Sequence, residues 1–186
     1  MTPNSLAFIA LSNEYCQAIE AAAEAVSPRR FVADMLRLLP RLYITASDLA
    51  PEPLLGDDES PMLENYLSED FYEQACQGME SLLGSDDLFL EVFEDDMQYS
   101  DTPLRASISE NLADIYQVLY NFVTTVREAP DYVANEALHA VREEFASYWS
   151  QRLVNVMRPL NQLRYSATAE DDEDVDDDSI DGEDDY

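Results

Sequence analysis

The sequence has no lysine: all ten of its bases are arginine, and they face forty acids for a formal net charge of −30. A surface this acidic repels the phosphates of nucleic acid and the anionic face of a membrane, so neither is expected as a direct partner. Glycine is scarce, four in 186 residues, which argues against an architecture rich in β-hairpins. Histidine occurs once and cysteine twice, and Cys16 and Cys76 stand outside any Cys-x-x-Cys or Cys/His spacing. A zinc site and a dithiol redox motif therefore lack their ligand pattern, and the two thiols are expected as core residues of a reduced, cytoplasmic protein. The N-terminal segment has no basic n-region, and its apolar run from Leu6 to Leu11 breaks at Ser12, Asn13 and Glu14, so no secretory leader is expected. No apolar run approaches membrane-spanning length. A glycine-rich phosphate loop, a Gly-x-Ser-x-Gly elbow and a Cys/His nucleophile pair are all missing. What is present is core material: the chain is 46% apolar, with eleven Tyr, seven Phe and one Trp, enough for one domain without a disulfide or a metal.

Hydroxyl–proline pairs recur at Ser27-Pro28, Ser60-Pro61 and Thr102-Pro103, each ahead of an amphipathic run. Each reads as an N-cap followed by proline at the first helical position, where the missing N–H would have had no partner in any case. A fourth start is expected at Pro130 or Asp131, and a capping box of Ser107 with Glu110 would move the third start by one turn. The apolar spacing predicts a first helix from about Asn4 to Val26 that buries Phe8, Leu11, Tyr15, Ile19 and Ala22. A second runs from Pro28 towards Leu49 on Phe31, Met35, Leu38 and Leu42, with a kink or break near Leu36 to Leu39 caused by Pro40. Residues 61 to 83 read as one helix or two, with Ser68 as an internal cap, Phe71, Ala75, Met79 and Leu82 on one face, and Gly84 as the left-handed residue past the end. The run from Leu88 to Phe93 reads as a short helix, because no second strand candidate is at hand. Ile108, Leu112, Ile115, Leu119, Phe122 and Val126 form a heptad stripe. The last helix, about Asp131 to Tyr165, carries Leu138, Val141, Phe145, Trp149, Leu153, Val156, Leu160 and Leu163, with Pro159 bending it near Asn155 or ending it early.

These elements describe an all-α protein: a single domain over residues 1 to 165, an up-and-down helical bundle of five to seven helices. Residues 166 to 186 are expected to be a disordered acidic tail, since twelve acids without a base repel one another and cannot bury apolar surface. Forty acids less those twelve, against ten arginines, still leave −18 on the rest of the chain.

Arg29, Arg30, Arg37 and Arg41 crowd four of the ten bases onto one helix, and Arg30, Asp34, Arg37 and Arg41 share a stripe. Guanidinium forks suit carboxylate or phosphate, so Arg30, Arg37 and Arg41 are the candidate anion-binding residues. In so acidic a chain, pairing with Asp34 and with acids of neighbouring helices is the expectation preferred over a ligand. Glu136 and His139 fit the Glu-x-x-His pattern of di-iron bundles, but one histidine cannot supply the second copy, so no metal site is expected. Asp177, Ser179, Asp181 and Gly182 resemble the opening of an EF-hand loop that lacks its twelfth-position Glu. Tyr116, Tyr120, Tyr43, Tyr66, Tyr72, Tyr132 and Tyr148 suit either a protein interface or the margin of a helical core. No cofactor is implied, and nothing selects a catalytic pair from forty acids.

The segments LSNEYCQAIEAA, RFVADMLRLLPRLYITASDL and YSDTPLRASISENLADIYQVLYNF together resemble a bacterial "domain of unknown function" family of small acidic all-helical proteins, found mainly in gut anaerobes. The resemblance covers about residues 4 to 165, implies an all-helical fold and a bacterial cytosolic origin, and brings no catalytic residues with it. The function expected is a non-enzymatic protein-interaction or regulatory module. A nucleic-acid-mimicking inhibitor of a basic partner and a carboxylate- or metal-dependent enzyme are the alternatives.

Overall fold

Thr2 and Ser27 each precede a proline, and each hydroxyl caps a helix, Thr2 Oγ1 accepting from the Ser5 N–H at 3.1 Å and Ser27 Oγ from the Arg30 N–H at 3.3 Å. In the computed structural model, which describes residues 1–24, 26–53, 62–91 and 105–166, these caps open α1 (Pro3–Ala21) and α2 (Pro28–Ser47). The first of them, Thr2-Pro3, is a hydroxyl–proline start beyond the three expected. All five residues of the first predicted stripe are buried, but α1 stops at Ala21 rather than Val26. Its end tightens into i→i+3 bonds beside α3, where a Cβ on Gly78 would lie only 3.0 Å from the Ala23 Cβ. No break appears at Pro40. The missing N–H costs about 3 kcal/mol, and burial of Leu38, Leu39 and Leu42 on either side of the proline holds α2 helical through it.

Helix α3 (Glu69–Leu83) starts at Ser68, whose Oγ accepts from the Phe71 N–H. The Ser60-Pro61 start lies outside the described residues, and 62–68 are not helical, so Tyr66 is not on a helix. A side chain takes over the backbone bonding there: Asn121 Oδ1 accepts from the Tyr66 and Leu67 N–H groups at 2.7 and 2.9 Å. The buried stripe of α3 is Ala75, Met79 and Leu83; Phe71, one turn earlier, is 62% exposed, against expectation. Gly84 ends the helix at φ +56°, where an L side chain is strained, and opens a 3-10 turn, Gly84–Asp87.

Where a helix was expected from Leu88, the chain forms strand β1 (Leu88–Leu90), paired antiparallel with β2 (Arg105–Ser107) in the register Leu88 to Ser107, Phe89 to Ala106 and Leu90 to Arg105, and residues 92 and 93 of that expectation lie outside the described residues. The partner that the sequence seemed to lack is Arg-Ala-Ser, with one apolar residue and no strand signature. The Thr102-Pro103 start lies outside the described residues; α4 (Ile108–Glu128) begins at the capping-box position, with Ser107 Oγ accepting from the Glu110 N–H at 3.0 Å. Asp87 supports the same end, accepting from Ser109 N and Oγ at 2.7 and 2.8 Å.

Helix α5 (Asp131–Glu144), a π-helical turn (Phe145–Trp149) and α6 (Ser150–Ser166) follow without a break and make one rod. The π turn has a cause in the sequence. Val141, Phe145, Trp149 and Leu153 are spaced 4, 4, 4, and in a regular helix each such step drifts by about 40°. A wider turn, closed by Ser150 N–H to Phe145 O, absorbs the drift and keeps all four buried. Pro159 lies within α6 and does not end it. Helix α4 is the centre of the bundle, with α1, α3, α5 and α6 packed against it, and α2 covers α1 and α6. Five of its six heptad residues are fully buried and Val126 partly so. Phe8, Phe122, Phe145 and Trp149 meet at the centre, with ring centroids 4.6 Å apart for Phe145 and Trp149 and 5.3 Å for Phe8 and Phe122. The protein is thus the expected helical bundle with one short ribbon added. The expectation of a disordered tail falls outside the described residues.

Candidate functional site: a groove along the last helix

Alternation along β1 puts Leu88 and Leu90 on one side of the ribbon and Phe89 on the other. Phe89 packs against the core, while Leu88 and Leu90 stay 59% and 57% exposed. All three line recesses shared with α6, where Val154, 54% exposed, Pro159 and Leu163 add apolar surface. Between the two elements lies a cavity of about 530 Å³ lined by Leu88, Phe89, Leu90, Arg158, Pro159 and Leu163 among others. It shares Phe89, Leu90, Arg158 and Pro159 with a recess of about 170 Å³ at Val154 and Asn155. It shares Asp86 and Leu163 with another of about 230 Å³, completed by Pro28, Arg29, Val32, Leu82, Leu83 and Arg164. The three make one groove that follows α6 from Val154 to Arg164, roughly 15 Å at the helical rise. Pro159 removes the donor that would have engaged the Asn155 carbonyl, and both residues line the groove.

The charges sort in the same direction. Arg30 and Arg37 meet the two oxygens of Asp34 at 3.6 and 3.9 Å, and Arg41 meets Glu14 of α1 at 3.6 Å. The candidate anion residues therefore sit on an exposed helix face, each against a carboxylate of the same molecule. Arg127 and Arg152 are paired as well. Arg29, Arg105, Arg142, Arg158 and Arg164 have no salt-bridge partner among the described residues, and three of these, Arg29, Arg158 and Arg164, line the groove. Its acids are Asp86 and Glu91, and Glu91 accepts a hydrogen bond from the Asn155 amide. Sequence reasoning missed this site because Arg29 and Arg164 come from opposite ends of the domain; the signal available was Arg158-Pro159 beside an exposed Val154.

A second constellation is closed upon itself. Asp114 of α4 accepts from the Tyr72 hydroxyl of α3 at 2.9 Å and pairs with Arg152 of α6 at 3.4 Å, while Arg152 also donates to Asn111 Oδ1 at 3.3 Å. The guanidinium lies 5.4 Å over the ring of Tyr148 from the π turn. Burial, and then the Asp114 carboxylate, raise the pKa of both phenols above the usual tyrosine value. The cluster ties three helices together and leaves its carboxylate engaged. His139 plays a similar part: its Nε2 donates to the Glu52 carbonyl at 2.8 Å, next to Asn135, which bonds the Glu52 N–H and C=O through its side-chain amide. Glu136 is not part of that contact.

A family model described as a domain of unknown function, DUF5063, matches residues 1–166, which takes in every helix from α1 to α6. The chain belongs to the DUF5063 family. The match includes the groove and stops where α6 does, leaving 167–186 outside the DUF5063 region. Among solved structures, the crystal structure of protein BF1032 from Bacteroides fragilis, a structural genomics target, is similar at 34% identity and a TM-score of 0.76, over 90% of this chain and 96% of that one. No curated protein matches. Among the described residues of this DUF5063 chain, no helix is long and apolar enough to cross a membrane.

Proposed function

We propose that this domain is a non-enzymatic, cytoplasmic interaction module that docks an acidic, aliphatic-rich segment of another protein in the groove along α6. The observation that supports it is the meeting of exposed Leu88, Leu90 and Val154 with Arg29, Arg158 and Arg164, arginines without a carboxylate partner among the described residues. Covering three half-exposed aliphatic side chains contributes about 1 kcal/mol each. The guanidinium groups add orientation and association rate. The net negative charge does not forbid such a partner, because at physiological salt charges beyond about 8 Å are largely screened. A short segment in the groove senses its arginines; a long nucleic acid would lie across the acidic remainder.

The test uses a fluorescein-labelled synthetic peptide that alternates leucine with glutamate, titrated with the full chain and followed by anisotropy. Saturable binding is expected, weaker in Arg158→Gln with Arg164→Gln and unchanged in Arg37→Gln with Arg41→Gln. Equal affinity in all three chains would remove the groove from consideration.

A further inference from the structure

We infer that residues 167–186 occupy the same groove in cis, so that the chain carries a competitor for its own docking site. This rests on the reading of the groove as a site for acidic segments. Helix α6 ends at Ser166, two residues beyond Arg164, so the chain leaves the domain at one end of the groove. The residues that follow hold twelve acids and no base, with Val175, Ile180 and Tyr186 set among them, which is the composition the groove suits. Reach is ample: residues 170–186 can extend over ~55 Å, several times the length of the groove, and can double back along α6.

Charge then selects the place. A segment of twelve acids is repelled by a domain of net charge −18 wherever acids dominate, and the groove gathers three arginines against Asp86 and an already engaged Glu91. Attachment supplies the rest. A short connection holds the segment at an effective concentration of about 1 mM, so a contact with a Kd of about 0.1 mM in trans would be occupied most of the time in cis. An incoming partner segment would be weakened by about elevenfold under the same numbers. The contact is charge-assisted, exposed and salt-sensitive, so a rise in ionic strength opens the groove.

The experiment compares three full-length chains: the native one, one in which all twelve acids of 170–186 are replaced by their amides, and the amide chain with Arg158→Gln and Arg164→Gln. The probe is a fluorescein-labelled synthetic peptide of residues 170–186, at low ionic strength. The expected result is binding about tenfold tighter to the amide chain than to the native chain, with the gain lost in the arginine variant. Equal, tight binding to native and amide chains would overturn the inference and leave the groove as a docking site. The same holds if this peptide fails to bind the amide chain while the leucine–glutamate peptide binds it. If neither peptide binds any chain, the reading of the groove itself fails. A native chain that dimerises in sedimentation, with a dimer abolished by the amide replacements, would place the segment in a second copy and overturn occupancy in cis.

Discussion

Arg37 and Arg41 each lie against a carboxylate of the same molecule. Their guanidinium groups lie 3.9 and 3.6 Å from Asp34 and Glu14, and all of these side chains but the half-buried Asp34 are well exposed. Pairs in that setting contribute between nothing and about 1 kcal/mol. Arg37→Gln with Arg41→Gln should therefore lower the unfolding free energy by no more than about 1 kcal/mol in urea. Phosphate, matched with chloride for ionic strength, should not raise the native thermal midpoint through this face. A phosphate-specific rise that disappears in the double variant would reinstate Arg30, Arg37 and Arg41 as an anion site, whereas a rise that survives it belongs to another set of arginines.

At the scale of elements, starts were legible and ends were not. A cap acts within four residues, so Ser27-Pro28 and Ser107 with Glu110 could be read directly, and both hydroxyls cap in the structure. The end of α1 depends on α3 passing beside Ala23, which no local pattern encodes. The junction that leads into α4 likewise joins residues far apart in sequence: buried Asp87 holds both the N–H and the hydroxyl of Ser109. Removing that carboxylate leaves the buried Ser109 N–H unpaired at a helix N-terminus and its hydroxyl with only Ser107 Oγ, 2.7 Å away. Asp87→Ala should cost about 2–3 kcal/mol of stability in urea, followed by helical circular dichroism, with Asp87→Asn losing less because its amide oxygen still accepts. A loss below about 0.5 kcal/mol for Asp87→Ala would mean that Ser107 alone secures the start of α4.

The packing of the whole molecule raises the pKa of several phenols. Burial is the largest cause for Tyr15, Tyr72 and Tyr116, reinforced by Asp114 for the first two and by Glu20 for Tyr116, whose hydroxyl donates to that carboxylate at 3.0 Å. Each folded pKa therefore lies above the unfolded value of about 10. Their contribution to stability is fully present below pH ~10 and is lost as pH rises through the folded values. The chain should unfold cooperatively in alkali, with a late group of tyrosinate absorbance appearing together with the loss of helical circular dichroism. Complete titration of all eleven tyrosines before any loss of helicity would contradict this account.

Periodicity, caps and composition determined the helical class, the heptad face of α4 and the long final helix, because each rests on interactions within a few residues along one helix. Tertiary structure alone decided which arginines are satisfied and which line a groove, because pairing depends on neighbours contributed by other helices. It also decided the ribbon: Arg105-Ala106-Ser107 pairs with Leu88-Phe89-Leu90 on backbone bonds, which need no apolar signature in the second strand. The groove exists because that ribbon, the first turn of α2 and the end of α6 converge in space, and segments so far apart in the chain have no shared period to announce it.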